Sequence, residues 1–257
     1  MCGRYTLTAD LKKVADRFGA PMPTDEWSTC APPRFNIAPT QAVIVVGDDG
    51  KRYMKQMLWG LIPSWAKAEP VRPARRSPDE RRAATSRADG QYGEYKPSVG
   101  PLINARAETL AEKAAFRAAL KKRRCIIPAD GFYEWQRLGK VKQPVRIVLK
   151  SREPFGFAGL WEQWISPEGE EVLSCVIVTT EANELLKGVH DRMPVILTPD
   201  AEAVWLDPKI QEPEKLLPLL KQYPADDMEF YPVSREVNSP AVDKPSVIEP
   251  VNEGVRR

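Results

Sequence analysis

Residues 125–180 read CIIPADGFYEWQRLGKVKQPVRIVLKSREPFGFAGLWEQWISPEGEEVLSCVIVTT. Within them CIIPADGFYEW, VRIVLK, FGFAGLWEQW and EVLSCVIVTT are short runs rich in β-branched and aromatic residues, separated by turns such as SPEG at 166–169. Runs of that length and composition read as strands joined by tight connections. They predict an antiparallel sheet or a partly closed barrel.

Working outward, AVIVV, GDDG and KRYMKQMLWG (42–60) read as a hairpin that ends at Gly60. Further upstream, TADLKKVADRF places Leu11, Val14, Ala15 and Phe18 on one helical face, with Thr8 or Asp10 as cap and Gly19 as stop. Leu110 to Leu120 is Ala-rich and helical, and it runs into KKRR, cations that suit a helix C-terminus or a phosphate. Downstream, Thr180 is expected to cap a short helix through Leu186, followed by a strand, MPVIL, and helices in TPDAEAVWLD and PEKLLPLLKQY. Residues 68–101, rich in Arg, Pro, Ser and Gly, lack apolar periodicity and read as a long mobile surface loop. The fold class is therefore α+β: a single domain with antiparallel, partly barrel-like β-sheets flanked by short helices.

At 257 residues the chain can bury one sizeable core. It holds no apolar run of bilayer length, and its first residues lack the apolar stretch of a signal peptide, so a cytoplasmic protein without a membrane partner is expected. Cys2, Cys30, Cys125 and Cys175 lie far apart, with no C-x-x-C pair and a single histidine. Neither a metal site nor any other cofactor is expected, and three of the thiols read as small buried hydrophobes. Residues 51–150 carry 23 Lys and Arg against 9 Asp and Glu, while the rest carry 15 against 26. A basic middle in a chain of net charge +3 points to an anionic partner, or else to a solvated charge run.

Cys2 can become the first residue once Met1 is removed, which leaves an α-amine beside a thiol. The reference pKa of an α-amine is about 7.7 to 8.0, so much of it is neutral near pH 7 and can attack an aldehyde. The neighbouring thiol can then close the imine into a thiazolidine ring. Other groups offer supporting chemistry, each with a structural alternative. His190, the sole histidine, sits at an element end beside Asp191 and Arg192, where it can pass protons or serve the fold. Glu134 either faces inward with a raised pKa or lies on an edge strand paired with an arginine. Asn104 can hold a sugar hydroxyl, and Arg106 and Arg4 can clamp phosphates. Trp65 and Trp135 can stack on bases or pack in the core.

Six segments, MCGRYTL (1–7), FNIAPT (35–40), WGLIPSWAK (59–67), INARAET (103–109), PADGFYEW (128–135) and HDRMPVIL (190–197), together resemble the SOS-response-associated peptidase family of abasic-site sensors. The resemblance runs in order from residue 2 to about 240, so a catalytic domain is expected there and a tail over 241–257. It implies a mixed α+β fold that captures abasic sites in single-stranded DNA covalently, as a shield in the DNA damage response. The family's nucleophile matches Cys2, its active-site asparagine Asn104, its acid/base glutamate Glu134 and its histidine His190. Its phosphate-contacting arginines match Arg4 and Arg106, Trp65 and Trp135 fall at aromatic groove positions, and Pro39 falls in the pocket-forming loop. Arg192, beside His190, is a further candidate DNA contact. The Arg-rich stretch between WAK and INARAET is longer than is usual in the family and reads as an insertion.

The mechanism these residues suggest begins with the ring-opened aldehyde of an abasic site. The Cys2 amine attacks it while Glu134 shuttles protons, His190 assists ring opening and Asn104 orients the sugar. If the thiazolidine fails to close, the imine can promote β-elimination, a weak lyase activity. The rivals are an N-terminal-nucleophile cysteine peptidase and a non-covalent single-strand binding module. The expected partner is single-stranded DNA carrying abasic sites, met by a monomer.

Overall fold

The computed structural model describes residues 2–23, 33–70 and 95–251. Its centre is a ring of five strands drawn from both halves of the chain: β3 (Ala42–Asp48), β4 (Arg52–Trp59), β8 (Arg124–Ala129), β11 (Phe155–Ile165) and β12 (Glu171–Glu181). Antiparallel ladders join β4 to β3, β3 to β8, β8 to β11 and β11 to β12. A parallel pairing of β12 with β4, Ser174 opposite Leu58 and Cys175 opposite Trp59, closes the ring. Every residue of β8 is buried, as is the run Ser174–Thr180 of β12. Strands that face a core on one side and other elements on the other need near-continuous apolar sequence, which explains CIIPA and SCVIVTT.

Against this ring lies a second sheet in the order β14 (Met228–Pro232), β10 (Val141–Leu149), β9 (Gly131–Leu138), β1 (Tyr5–Leu7), β2 (Arg34–Ile37). Aromatic edges join the two sheets: Tyr5 meets Trp59 at 5.3 Å and Phe157 at 5.8 Å, and Phe132 meets Phe157 at 6.0 Å. Edge-to-face contacts of this kind add about 0.5–1.5 kcal/mol each beyond area burial. The α+β expectation and the partly closed barrel hold.

Helix α1 (Leu11–Phe18) forms as its sequence predicts. Asp10 accepts from the Lys13 N–H at 2.8 Å, Gly19 ends the helix at φ +61°, and Leu11, Val14, Ala15 and Phe18 are all buried. Elsewhere the local reading shifts. The helix expected from Leu110 is a 3-10 turn over Ala107–Thr109 and then α2 (Ala114–Lys122). The helix expected over Thr180–Leu186 is absent. Thr180 belongs to β12, and the segment after it folds as turns pinned by Asn183, whose side chain and carbonyl both accept from Leu186 N–H. A regular α-helix (α3) spans Pro199–Leu206, whereas α4 (Pro213–Leu216) is a single turn that passes into a 3-10 turn containing Pro218, a residue with no N–H to donate.

The ends of the expected loop over 68–101 are themselves paired, β5 (Ala68–Pro70) with β6 (Tyr95–Pro97), while the residues between lie outside those described. Residues 241–251 do not trail away as a tail. Asp243 accepts from Arg34 and from the Phe35 and Asn36 N–H groups, Val247 is buried, and Val233 bridges to Pro250. This C-terminal strap covers the β2 edge of the second sheet.

Candidate active site

Cys2 enters β1 from a fully buried position, its Sγ 3.9 Å from the Arg4 carbonyl. Asn104 opens β7 (Asn104–Arg106), a short strand held parallel to β12 with Ile177 opposite Asn104. That pairing aims the amide at the amino terminus: Asn104 Nδ2 donates to the Cys2 carbonyl at 2.9 Å. Asn104 Oδ1 is buried and has no donor among the described residues, leaving one acceptor to be satisfied by something that enters.

Glu134 lies on β9, between β1 and β10, and is 3% exposed. It takes the inward orientation of the two that its sequence allowed. Burial pushes its carboxyl above the usual carboxylate range, and the proximity of the amino terminus and of His190 pulls the other way. Burial also pushes the Cys2 thiol far above an ordinary cysteine, and the nearby Glu134 charge adds to the effect. Near neutral pH the thiol is therefore S–H, not thiolate.

His190 is about two-thirds buried, its backbone N–H bonded to the Leu186 carbonyl. Its Nδ1 accepts from the Arg192 N–H at 3.0 Å and has Asp191 Oδ1 at 2.7 Å. Cys2, Asn104, Glu134 and His190 thus converge from four separate segments of the chain.

The DNA-contact candidates fall into two groups. Trp65, 58% exposed, and Arg106 present themselves to solvent, and Pro39 lies half-buried in the turn after β2. The others are engaged within the fold. Arg4 Nη1 donates to Asn36 Oδ1 at 2.9 Å and the Val237 carbonyl at 2.7 Å, and Nη2 to the Asn238 carbonyl at 3.1 Å. Trp135 donates its indole N–H to Asn238 Oδ1 at 2.7 Å. Arg192 forks onto Glu108, Nη1 to Oε1 at 2.7 Å and Nη2 to Oε2 at 2.9 Å, and also donates to the Thr179 carbonyl.

Sequence reasoning did not single out Asn36, Glu108 or Asn238, although the first two sit inside the quoted segments FNIAPT and INARAET. Among the described residues no cluster of three His, Cys, Asp or Glu side chains is placed to hold a metal ion, and no helix is long and apolar enough to cross a membrane.

Residues 1–240 match the family model described as "SOS response associated peptidase (SRAP)". The chain is 44% identical over 253 residues to the abasic site processing protein YoqW of Bacillus subtilis, covering 97% of this chain and 99% of that one. It is 31% identical over 230 residues to the abasic site processing protein HMCES of Gallus gallus, over 81% of this chain and 60% of that protein. A solved structure from Bacteroides thetaiotaomicron superposes with a TM-score of 0.77 at 26% identity, over 98% of this chain and all of the other.

Proposed function

This chain belongs to the SOS response associated peptidase family, and we propose that it processes abasic sites by capturing them covalently in single-stranded DNA. Abasic-site processing is the activity that its relatives' names carry to it. The covalent route and the single-stranded substrate rest on the site's own chemistry. The observation that carries the reading is the convergence of Asn104 and a buried Glu134 on Cys2.

With Met1 removed, the free amine of Cys2 attacks the C1′ aldehyde. The carbinolamine loses one water to become an imine. The thiol then adds to the imine carbon and its proton moves to nitrogen, so ring closure loses nothing further. A thiol held as S–H makes the amine the first nucleophile and needs a base at ring closure. Glu134, whose carboxyl is held above its usual range, can give a proton during dehydration and take one at closure. Asn104 keeps the Cys2 carbonyl fixed and offers Oδ1 to a sugar hydroxyl. His190 assists opening of the sugar ring. Arg106 and exposed Trp65 supply a cation and a stacking face for the flanking strand.

A cysteine peptidase would need a thiolate or a base that readily forms one. Burial of Cys2 beside a carboxylate works against that state. The test is incubation with a single-stranded oligonucleotide bearing one abasic site, followed by denaturing electrophoresis. A denaturation-resistant adduct that Cys2→Ala fails to form supports the proposal, and an equal adduct from Cys2→Ala refutes it. Equal, salt-sensitive binding to intact and abasic strands without an adduct favours the non-covalent module.

A further inference from the structure

We propose that Glu108 is a positioning residue, the outer half of a Glu108–Arg192 strut that sets His190 against the Asn104 strand, an inference that rests on the capture reading above. Glu108 lies in the 3-10 turn that directly follows β7, two residues beyond Arg106 and four beyond Asn104. Arg192 opens β13 (Arg192–Pro194), paired to β12 through Glu181, and follows His190 by two residues. The strut therefore joins the two segments that deliver Asn104 and His190 from opposite edges of β12.

The contacts are directional. Arg192 makes a two-pronged ion pair with Glu108 at 2.7 and 2.9 Å, and Nη2 also reaches the Thr179 carbonyl at 2.7 Å. A planar fork bound at both prongs fixes the plane of the guanidinium as well as its position. The same residue's backbone N–H donates to His190 Nδ1 at 3.0 Å, so holding Arg192 holds the ring. Glu108 stays a carboxylate in this setting, since the Arg192 bonds keep its carboxyl below the usual range. The Arg192 side chain is 11% exposed, so the pair is shielded from solvent on the arginine side.

His190 is the only histidine in the chain, so its imidazole resonances identify themselves. The experiment compares wild type, Glu108→Gln and Glu108→Ala in three measurements. These are the NMR signals of the His190 ring without DNA, the affinity for a single-stranded oligonucleotide carrying a non-reactive tetrahydrofuran site, and the rate of crosslinking to the abasic counterpart. Misplacing a reacting group by about an ångström costs up to roughly 100-fold. Glu108→Ala is expected to shift the His190 signals and to slow crosslinking about 10- to 100-fold, with affinity unchanged within about twofold. Glu108→Gln, which keeps one acceptor for the fork, is expected to fall between. Unmoved His190 signals, or crosslinking by Glu108→Ala at the wild-type rate, would overturn the strut. Tighter binding at an unchanged rate would overturn it in favour of an Arg192 that Glu108 masks from phosphate. If wild type itself forms no crosslink, the capture reading fails, and the resonance measurement still decides the strut.

Discussion

Asp130 is expected to be among the least replaceable side chains in this fold, although it takes no part in the chemistry. It is 8% exposed in the turn between β8 and β9, and its two oxygens collect five donors. Oδ1 accepts from Thr6 Oγ1 at 2.6 Å and Arg146 Nη2 at 3.2 Å. Oδ2 accepts from Thr8 Oγ1 at 2.7 Å, from the Ala9 N–H at 3.1 Å and from the Thr8 N–H. Asp130→Ala leaves Arg146 buried, with only the Thr6 and Tyr231 hydroxyls and the residue 130 carbonyl as partners. Breaking a buried ion pair from one side costs about 3–5 kcal/mol. At roughly 2–4 °C per kcal/mol for a chain of this size, the melting temperature should fall by about 6–20 °C. Asp130→Asn should be nearly as harmful, because an amide nitrogen at Oδ2 points a donor at three donors. Thermal unfolding followed by circular dichroism measures both. A loss under about 2 °C for Asp130→Ala would refute the reasoning that this clasp anchors β1, the strand that Cys2 leads into.

Three further outcomes follow from the structure. Trp65→Ala should weaken binding to single strands by about 1–3 kcal/mol, one stacked base, at unchanged melting temperature, since Trp65 is 58% exposed; fluorescence anisotropy checks it, and unchanged affinity removes Trp65 from the groove. For Glu134, a folded pKa raised by burial means the folded state holds the proton more tightly than the unfolded chain. Its contribution to stability is therefore present in acid and is lost as pH rises from the ordinary value through the raised one. Glu134→Gln should flatten that loss and slow capture about 10²- to 10⁴-fold, and a pH–stability curve that overlays wild type would contradict the first half. Gly60 sits at φ +142°, where an added Cβ would lie 2.6 Å from Pro101 Cβ. Gly60→Ala should cost about 1–3 kcal/mol in urea unfolding, and a neutral effect would show that the chain shifts freely there.

The parts of this fold that the sequence declares are those decided locally. Asp10, the apolar stripe to Phe18 and Gly19 specify α1 within ten residues, and GDDG fixes the β3–β4 hairpin. Closure of the barrel is not local: β12 pairs with β4 across more than a hundred residues, and nothing in either strand names its partner. The same holds at the site. Cys2, Asn104, Glu134 and His190 carry recognisable chemistry and could be singled out one by one. What occupies each arginine could not, since Arg4 finds its acceptors at Val237 and Asn238, and Arg192 finds Glu108. The turns after Thr180 read as a helix because Glu184, Leu185 and Leu186 are good helix formers, but Asn183 offers its own side chain to the Leu186 N–H and settles them into turns.

The most direct test of the account is the intact mass of the protein after incubation with a single-stranded oligonucleotide bearing one abasic site. Covalent capture predicts a species equal to the chain without Met1 plus the oligonucleotide, less one water, that survives denaturation and is absent for Cys2→Ala. It also predicts no stable adduct when an extra residue precedes Cys2, because the amine and thiol must then act from different residues. A stable adduct of the same mass shift from Cys2→Ala, or none from wild type, would contradict it.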